Sequence, residues 1–363
     1  IGEGLKKLIF STIGILIILV IFVCFIPAPI SPVAYSPAAP KELVGVLAPN
    51  KLLQNAELLG LGKIDGPEEV VVDSQGRIYA GTLDGKIMML TLDGKLDVFA
   101  ETHGRPLGMQ FDKNANLIVC DADKGLLSIN PQGKITVLAT SVNGALLNFT
   151  DALDISKDGI IYFTDASTQY RQNEYLYDLL ESKPHGRLLS FNPATGQIKL
   201  LLKDLYFANG VALSQQENFV LVNETYRYRI VRYWLKGPKA GTHDIFIDNL
   251  PGFPDNISSN GKGTFWLALF TVRNDVVDTL HSYPFLKAQM SKLPKALWPK
   301  PKPYGLVLAL NEQGEITKSL HEPTGKHLNE ITSAREQDGY LYLGSLHNDR
   351  IGKYKLPKVI GDR

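Results

Sequence analysis

Oxygen-bearing side chains recur at one fixed distance ahead of a strand motif that is repeated six times along the chain. Eleven or twelve residues before the centre of each motif lie Glu68, Leu107, Thr150 with Asp151, Asn209, Asp255, and Glu330 with Ile331. Converging carboxylate and amide oxygens are ligands for a hard cation such as Ca²⁺, and buried carboxylates without a cation would repel one another. Acids at strand entrances also occur as simple turn caps. The shared spacing favours a metal site.

The repeated motif is a β-hairpin whose second strand is apolar. Its clearest copy is GPEEVVVDSQGRIYAG at residues 66–81, where a strand, a turn from Asp to Gly and a second strand follow in order. The second strands are centred on Tyr79, Ile118, Tyr162, Leu221, Trp266 and Tyr342, with spacings of 39, 44, 59, 45 and 76 residues. Spacings of about 40–45 residues are typical of four-stranded propeller blades, and the long gaps indicate insertions. The sequence predicts an all-β, six-bladed β-propeller with a metal site in its central channel.

Composition bounds the class of protein. The 363 residues are 44% hydrophobic and carry a formal net charge of +1, so the chain lacks the basic excess of nucleic-acid-binding domains. It contains no phosphate-binding glycine loop and no zinc-site spacing. Cys24 and Cys120 fall in an apolar leader and in a strand, so no disulfide framework is expected.

The amino-terminal segment is predicted to be a membrane anchor. Residues 8–26 contain no charge and follow Lys6 and Lys7. Nineteen residues at about 1.5 Å each match a hydrocarbon core of about 30 Å, which favours a retained transmembrane helix over a cleaved signal peptide. We therefore expect a single-pass membrane protein with its propeller on the non-cytoplasmic side.

The remaining boundaries follow from composition and repeat spacing. The segment 56–63 is expected to add a strand to the sixth blade and so close the ring. Proline-rich residues ahead of the propeller are expected to form an extended linker. The expected divisions are an anchor at 1–26, a linker at 27–54, the propeller at 55–357 and a tail at 358–363.

Two insertions interrupt the blades, at 170–186 and 271–303. The first has tyrosines and leucines at helical spacing and is interpreted as a small helix on the third blade, with a pocket wall as the alternative. The second has five lysines and no acid from Leu286 onward. Two interpretations stand side by side: residues 285–303 contact an anionic membrane surface, or they form a lid over the channel mouth.

Six motifs in order carry a resemblance to a known family. They are GPEEVVVDSQGRIYAG, HGRPLGMQFD, LDISKDGIIYFTDAS, LYFANGVALS, LPGFPDNIS and EQDGYLYLGSL. Over about residues 55–355 the chain resembles the strictosidine synthase-like proteins, whose wider superfamily contains gluconolactonases and paraoxonases. The resemblance implies a six-bladed propeller with one calcium ion in the channel.

The resemblance also implies site residues. The implied metal ligands are Glu68, Asn209, Asp255 and, following the aspartate as in paraoxonases, Asn256. Thr150 and Asp151 stand where many relatives have Asn-Asp, so a hydroxyl replaces one amide.

The chain departs from its relatives at two places. Leu107 stands where paraoxonases use a histidine, and His103 is the nearest histidine. The catalytic glutamate of the plant synthase has no secure match, and Glu330 is the nearest acid. The candidate pocket residues are Thr150, Asp151, His103 and Glu330.

These residues support a hypothesis of calcium-dependent hydrolysis of a small ester or lactone. The cation would polarise the carbonyl, and Asp255 and Glu68 are the predicted catalytic residues. The rival hypothesis is a membrane-tethered binding module in which calcium is structural. Condensation of an amine with an aldehyde, as in strictosidine synthase, is less favoured because of the missing glutamate.

Overall fold

Six four-stranded antiparallel sheets follow one another along the chain in the computed structural model, which describes residues 2–357 apart from the side chains of residues 16–23. In the first five blades, neighbouring strands are hydrogen-bonded in sequence order, and the sixth blade combines the last three strands with the first strand of the chain. The predicted all-β, six-bladed propeller is confirmed. The predicted tail, 358–363, lies outside the described residues.

The strands have the following bounds. After β1 (Glu57–Leu59), the first blade contains β2 (Val70–Val72), β3 (Ile78–Gly81), β4 (Lys86–Leu90) and β5 (Leu96–Glu101), and the second contains β6 (Pro106–Phe111), β7 (Leu117–Asp121), β8 (Gly125–Ile129) and β9 (Ile135–Ala139). A small hairpin of β10 (Ser141–Val142) and β11 (Ala145–Leu146) precedes the third blade, which contains β12 (Thr150–Ile155), β13 (Ile161–Asp165), β14 (Gly186–Asn192) and β15 (Gln197–Leu205). The fourth blade contains β16 (Ala208–Leu213), β17 (Phe219–Glu224), β18 (Arg229–Trp234) and β19 (His243–Ile247), and the fifth contains β20 (Gly252–Ser259), β21 (Thr264–Val272), β22 (Gly305–Asn311) and β23 (Ile316–Glu322). The sixth contains β24 (Ile331–Gln337), β25 (Tyr340–Ser345) and β26 (Ile351–Lys355).

The ring is closed by strands from both ends of the propeller. β1 pairs antiparallel with β26, with Leu59 opposite Ile351, and becomes the outermost strand of the sixth blade. This confirms the predicted closing strand. It leaves no blade short of a strand, so no open sheet edge interrupts the circle.

The first strand of every blade lies at the centre. β2, β6, β12, β16, β20 and β24 each contact the first strand of the next blade, and β24 contacts β2. Residues that enter these six strands therefore surround one axis. For this reason, residues that lie at the same sequence distance from the repeated strand motif also lie at the same height along the channel.

Local turn chemistry explains why the hairpins form. Oδ1 of Asp73 accepts hydrogen bonds of 2.9 Å from the backbone N–H groups of Gln75 and Arg77, and Gly76 supplies the positive φ of 79° that the turn requires. Asp112 accepts in the same way from the second blade's turn. The Asp and Asn residues between paired strands thus fix the blade hairpins.

Apolar side chains fill the spaces between neighbouring blades. Tyr79 of the first blade lies edge-on against Phe99 and against Phe111 of the second, with ring centroids 5.1 Å apart in both pairs. Met109 and Leu127 are buried in the same cluster. Such clusters recur around the ring and hold the innermost strands in place.

The segment expected to be an extended linker lies against the propeller instead. The N–H groups of Val33 and Tyr35 donate to the backbone oxygens of Glu181 and His281, in the first and second insertions, at 3.0 and 2.9 Å. Ile30 and Leu47 are buried. Residues 30–50, which we call the strap, therefore connect the two insertions.

Helix α1 (Glu3–Phe25) precedes the strap. Among the described residues, which exclude the side chains of 16–23, no helix is both long and apolar enough to cross a bilayer. This finding overturns the predicted single-pass localisation with the propeller on the non-cytoplasmic side. The anchor prediction also depends on the side chains of residues 16–23, which lie outside the described part of the structure.

Each insertion contributes helices to one cap over the channel. The first contains α2 (Tyr175–Glu181), and the second contains α3 (Asp275–His281) and α4 (Pro284–Ser291). Contacts join α2 to α4 and α3 to α4. The cap is defined as these three helices with the segments that flank them.

Lys287 shows that the lysines of the second insertion are not all solvated. It is fully buried, and its Nζ donates to Val33 O at 2.6 Å and to Ser182 Oγ at 2.9 Å. His281 Nδ1 lies 3.1 Å from the same Ser182 oxygen. One lysine thus joins the strap to both insertions, which is a structural role and not a membrane contact.

Replacing Leu53 by Ala should destabilise the ring closure. Leu53 is fully buried just before β1, in the cluster that contains Trp266 and Leu341, whereas its neighbour Leu52 is exposed. We expect Leu53→Ala to lower the free energy of unfolding by about 2–5 kcal/mol in urea denaturation. The matched Leu52→Ala should stay within about 0.5 kcal/mol of the parent. Equal effects of the two substitutions would contradict this packing.

Candidate functional site in the central channel

A cavity of about 130 Å³ opens at the centre of the ring beneath the cap. Its polar floor contains Glu68, Asp151, Asn209 and Asp255, which come from four different blades. The structure therefore brings together the two predicted catalytic residues, three of the four predicted ligands and one candidate pocket residue. Equal spacing in the sequence did correspond to convergence at the axis.

Breaks in strand pairing turn these side chains towards the cavity. In β12, β16 and β20 the register is interrupted between Thr150 and Leu153, between Ala208 and Val211, and between Pro254 and Ile257. The unpaired stretches contain Asp151, Asn209 and Asp255. A β-bulge leaves a residue out of the ladder and re-aims its side chain. The same break in β6, between Pro106 and Met109, presents the apolar Leu107.

Glycine permits the close approach of neighbouring blades at this level. A Cβ on Gly210 would lie 2.5 Å from the backbone oxygen of Asp255. Any larger residue would therefore push the fourth blade away from the fifth. Gly210 accounts for the ANG motif, since it lets Asn209 sit beside Asp255.

Side chains from the preceding blade hold the backbone oxygens of three floor residues. Thr164 Oγ1 donates to Asn209 O at 2.7 Å, and Thr332 Oγ1 donates to Glu68 O at 2.7 Å. The amide of Asn223 donates to Asp255 O. The spacing argument missed these residues, although each lies in or beside a marked strand.

The three floor carboxylates repel one another. Burial raises the pKa of Asp255 well above its ordinary value, and the charges of Glu68 and Asp151 raise it further. Burial also raises the pKa of Asp151, with Glu68 adding to the effect and Arg105 opposing it. For Glu68, burial raises the pKa, while Arg105 and His347 lower it.

Arg105 supplies one positive charge beside the floor. It is buried, with Nη2 at 3.4 Å from Glu68 Oε2 and Nη1 donating to Gly66 O at 3.2 Å. With three ionised carboxylates and this guanidinium, the floor carries a formal charge of −2. Arg105 was missed, although it stands in the quoted HGRPLGMQFD motif.

The donors on the floor fit a divalent cation. Asn209 Oδ1 and Asp255 Oδ1 are buried and have no hydrogen-bond partner among the described residues. Unpaired buried oxygens are costly, and a hard cation accepts such oxygens as ligands and would balance the charge of −2. No three His, Cys, Asp or Glu side chains in the described part of the chain are arranged to hold a metal by themselves. The predicted metal centre therefore stays a prediction that depends on Asn209.

The other predicted residues lie elsewhere. Thr150 Oγ1 donates to Asp121 O at 2.6 Å and does not line the cavity, so Asp151 is the member of that pair that faces it. His103 is an exposed turn residue with φ of 55° and is also absent from the lining. Asn256 is buried next to Asp255 but outside the lining, and both its amide atoms lack partners among the described residues.

Glu330 immediately precedes β24, is absent from the cavity lining and hydrogen-bonds His347, which sequence reasoning missed. His347 holds none of the six equally spaced positions. It follows directly after the quoted EQDGYLYLGSL motif, just beyond β25, where a contact with the start of β24 follows from antiparallel pairing.

The walls of the cavity are largely apolar. They include Phe149, Phe207, Tyr226, Phe253 and Phe270 from the propeller, and Tyr175, Leu176, Leu179, Val277, Pro299 and Pro301 from the two insertions. For the first insertion, the structure has the expected small helix, α2, between β13 and β14 of the third blade, and this helix also forms part of the pocket wall. For the second insertion, it has the lid, and the membrane-contact interpretation of 285–303 gains no support.

Comparisons with known proteins agree on family and fold. Family models described as strictosidine synthase, and as strictosidine synthase-like, N-terminal, match residues 151–238 and 45–90. Adipocyte plasma membrane-associated protein of Rattus norvegicus is 36% identical over 356 residues, covering 92% of this chain and 94% of the relative.

Solved structures share the fold at low identity. A gluconolactonase of Xanthomonas campestris has a TM-score of 0.62 at 17% identity, covering 91% of this chain and 99% of its own. Regucalcin of Agrobacterium tumefaciens, described as a calcium-binding protein, has a TM-score of 0.56 at 14% identity, with coverages of 89% and 96%. At these identities the likeness concerns the fold alone.

The metal-free protein should lose stability as pH rises. An unfolded aspartate ionises at about pH 3.9, whereas the folded pKa values of Asp151 and Asp255 are raised, so above pH 4 the folded state binds more protons than the unfolded state. Raising pH therefore favours unfolding until the folded groups have also ionised. Melting temperature in chelator should fall between pH 5 and 8, and Asp255→Asn should flatten the fall.

The control for this prediction is Glu57→Gln, a substitution of an exposed carboxylate on β1. It should leave the pH dependence of the parent unchanged. A parallel dependence in the parent and in Asp255→Asn would show that the floor carboxylates are not in conflict.

Proposed function

Because the chain belongs to the strictosidine synthase-like family that includes the adipocyte plasma membrane-associated proteins, we propose that it hydrolyses small esters or lactones with a calcium ion bound in the central channel. The observation that carries the proposal is the combination of an acidic, under-satisfied floor with apolar walls. A polar reaction centre in a water-poor cavity is the usual arrangement for such chemistry. The fold shared with a gluconolactonase and with regucalcin supports the same reading.

Glu68, Asn209 and Asp255 would hold the cation, as the resemblance implies. Asp151 lies on the same cavity floor and is a further proposed ligand. Asn256, with unpaired amide atoms beside Asp255, stays a candidate ligand. Bound calcium would supply a Lewis acid that polarises the substrate carbonyl. The charge of Arg105 limits the repulsion that remains among the carboxylates.

Asp255 is the proposed base. The Asp255 carboxylate on the cavity floor can orient a water molecule and accept a proton as that water attacks the carbonyl carbon. Asn223 restrains the backbone of Asp255, so the carboxylate keeps its position during the proton transfer. Glu68, held by Thr332 and Arg105, is the second proposed catalytic carboxylate and fixes the opposite side of the floor.

The cap defines which substrates can enter. Tyr175, Leu179 and Val277 close the cavity with side chains that offer contact area but few hydrogen bonds. Aromatic or aliphatic acyl groups fit such walls, because burying them releases water from apolar surface on both partners.

Removing either proposed catalytic carboxylate should abolish calcium-dependent turnover. With phenyl acetate and an alkyl lactone as substrates, Asp255→Asn and Glu68→Gln should each lower kcat by at least about 10²-fold. Chelator should abolish activity of the parent, and calcium should restore it. Glu57→Gln serves as the surface control and should retain activity.

Two results would contradict the proposal. Turnover that is insensitive to chelator and to both substitutions would exclude a reaction at this floor. A calcium-dependent rise in melting temperature without turnover of any ester or lactone would favour the binding-module hypothesis.

The parent should prefer apolar lactones to hydroxylated sugar lactones. Each substrate hydroxyl buried without a partner costs about 1–3 kcal/mol, which is roughly a factor of ten or more in kcat/KM. Competition between an alkyl lactone and gluconolactone measures this ratio directly. A preference for the sugar lactone would contradict the assignment of the cap as an apolar wall.

A further inference from the structure

His347 and Glu330 form a hydrogen-bonded dyad next to Leu346, which lines the cavity, although neither dyad residue is itself part of that lining. Antiparallel pairing of β24 with β25 sets Ile331 opposite Ser345, so the residues just beyond each strand end lie together. Leu346 N donates to Glu330 O at 3.1 Å, and the side chain of Leu346 lines the cavity. The dyad therefore stands next to the cavity wall on the sixth blade.

The hydrogen bond within the dyad fixes the imidazole. His347 Nδ1 donates to Glu330 Oε2 over 2.5 Å. No described residue hydrogen-bonds Nε2, and the His347 side chain is 54% exposed, so this nitrogen is open to a ligand or solvent. Glu330 is only 16% exposed and holds a left-handed backbone with φ of 47°, a conformation that costs a non-glycine residue about 1 kcal/mol.

The charges around His347 favour its protonated form. The hydrogen bond to Glu330 raises the pKa of His347, burial lowers it, the charges of Glu330 and Glu68 raise it, and Arg105 lowers it, with a net rise. The charges that act on the imidazole are therefore those of Glu330 just before β24, Glu68 of the first blade and Arg105 of the second blade. Asp255 on the floor is a carboxylate in a different environment. Two titratable groups with separate environments suit the separate tasks of acid and base.

We propose that His347, positioned by Glu330, is the general acid that protonates the leaving oxygen of the substrate. This step rests on the proposed hydrolysis and assigns its second proton transfer. A proton passes from water to Asp255 as the carbon–oxygen bond to the carbonyl carbon forms. As the ester or lactone bond breaks, Nε2–H of His347 gives its proton to the departing oxygen, and solvent carries a proton from Asp255 back to the imidazole. The sum is one water consumed and one ester bond hydrolysed.

Glu330 is a positioning residue in this scheme. It does not touch the reacting atoms, and its carboxylate keeps Nδ1 protonated so that Nε2 faces outward as the donor. Tyr175 in the cavity wall feels the charges of Glu330, Glu68 and Asp255 together, which raise its pKa beyond the effect of burial to about 12. The charges of the dyad and of the floor therefore both reach Tyr175 in the cavity wall.

The test compares two esters of one acid with different leaving groups. A 4-nitrophenyl ester leaves without help, whereas the aliphatic ester requires a proton on its leaving oxygen. In calcium, His347→Gln should lower kcat/KM for the aliphatic ester by roughly 10²-fold and leave that for the nitrophenyl ester nearly unchanged. Glu330→Gln should act in the same direction to a smaller extent. In the parent, the rate with the aliphatic ester should fall at alkaline pH as His347 loses its proton, and this limb should vanish in His347→Gln.

His243→Gln, at an exposed position on β19, is the matched control and should change neither rate. Melting temperatures verify that the variants fold, and His347→Asn provides a second substitution should His347→Gln be unstable. Equal loss for both esters, no loss for the aliphatic ester, or a parent that cleaves only the nitrophenyl ester would each overturn the general-acid role while leaving hydrolysis intact. A parent that cleaves neither ester would overturn the proposed hydrolysis and this role with it.

Discussion

Three buried carboxylates and one buried guanidinium meet where the six innermost strands surround the channel. Charges removed from water are stable only when they are paired and hydrogen-bonded, and Arg105 pairs at 3.4 Å with Glu68 alone. The carboxylates of Asp151 and Asp255 repel that of Glu68 and repel each other. A protein does not keep such a cluster for stability, since apolar residues would serve the core better. The proposed divalent cation would relieve this conflict.

The scaffold maintains this conflict by rigid means. Bulges in three inner strands aim Asp151, Asn209 and Asp255 inward, and side chains of the preceding blade hold the backbone oxygens of the floor residues. Glu68, Asn209 and Asp255 are thus each restrained by two blades. Closure through β1 prevents the blades from separating under the repulsion. Above the floor, the strap and the buried Lys287 tie the two insertions into one cap.

Periodicity predicted the fold and the position of the floor. Blade hairpins are local structures with their own turn chemistry, and equal phase translates directly into equal height, so Glu68, Asn209 and Asp255 could be found by counting. Counting could not separate Thr150 from Asp151, because a bulge decides which of two adjacent residues faces inward. Arg105 and His347 were missed because their partners, Glu68 and Glu330, lie 37 and 17 residues away, and packing of the first two blades and pairing of β24 with β25 bring them together. For the second insertion, the sequence left the lid and the membrane contact side by side, because helix packing between two insertions leaves no periodic signal. Composition alone could not show that Lys287 is buried.

The central claim is that one divalent cation occupies the channel floor. Crystals of the full chain grown with calcium, and measured at a wavelength where calcium scatters anomalously, test it directly. The account predicts a single anomalous peak in contact with Glu68, Asn209 and Asp255, which disappears in crystals of Asp255→Asn. Calcium-saturated crystals without a peak at the floor, with Arg105 as the only cation near the carboxylates, would contradict it.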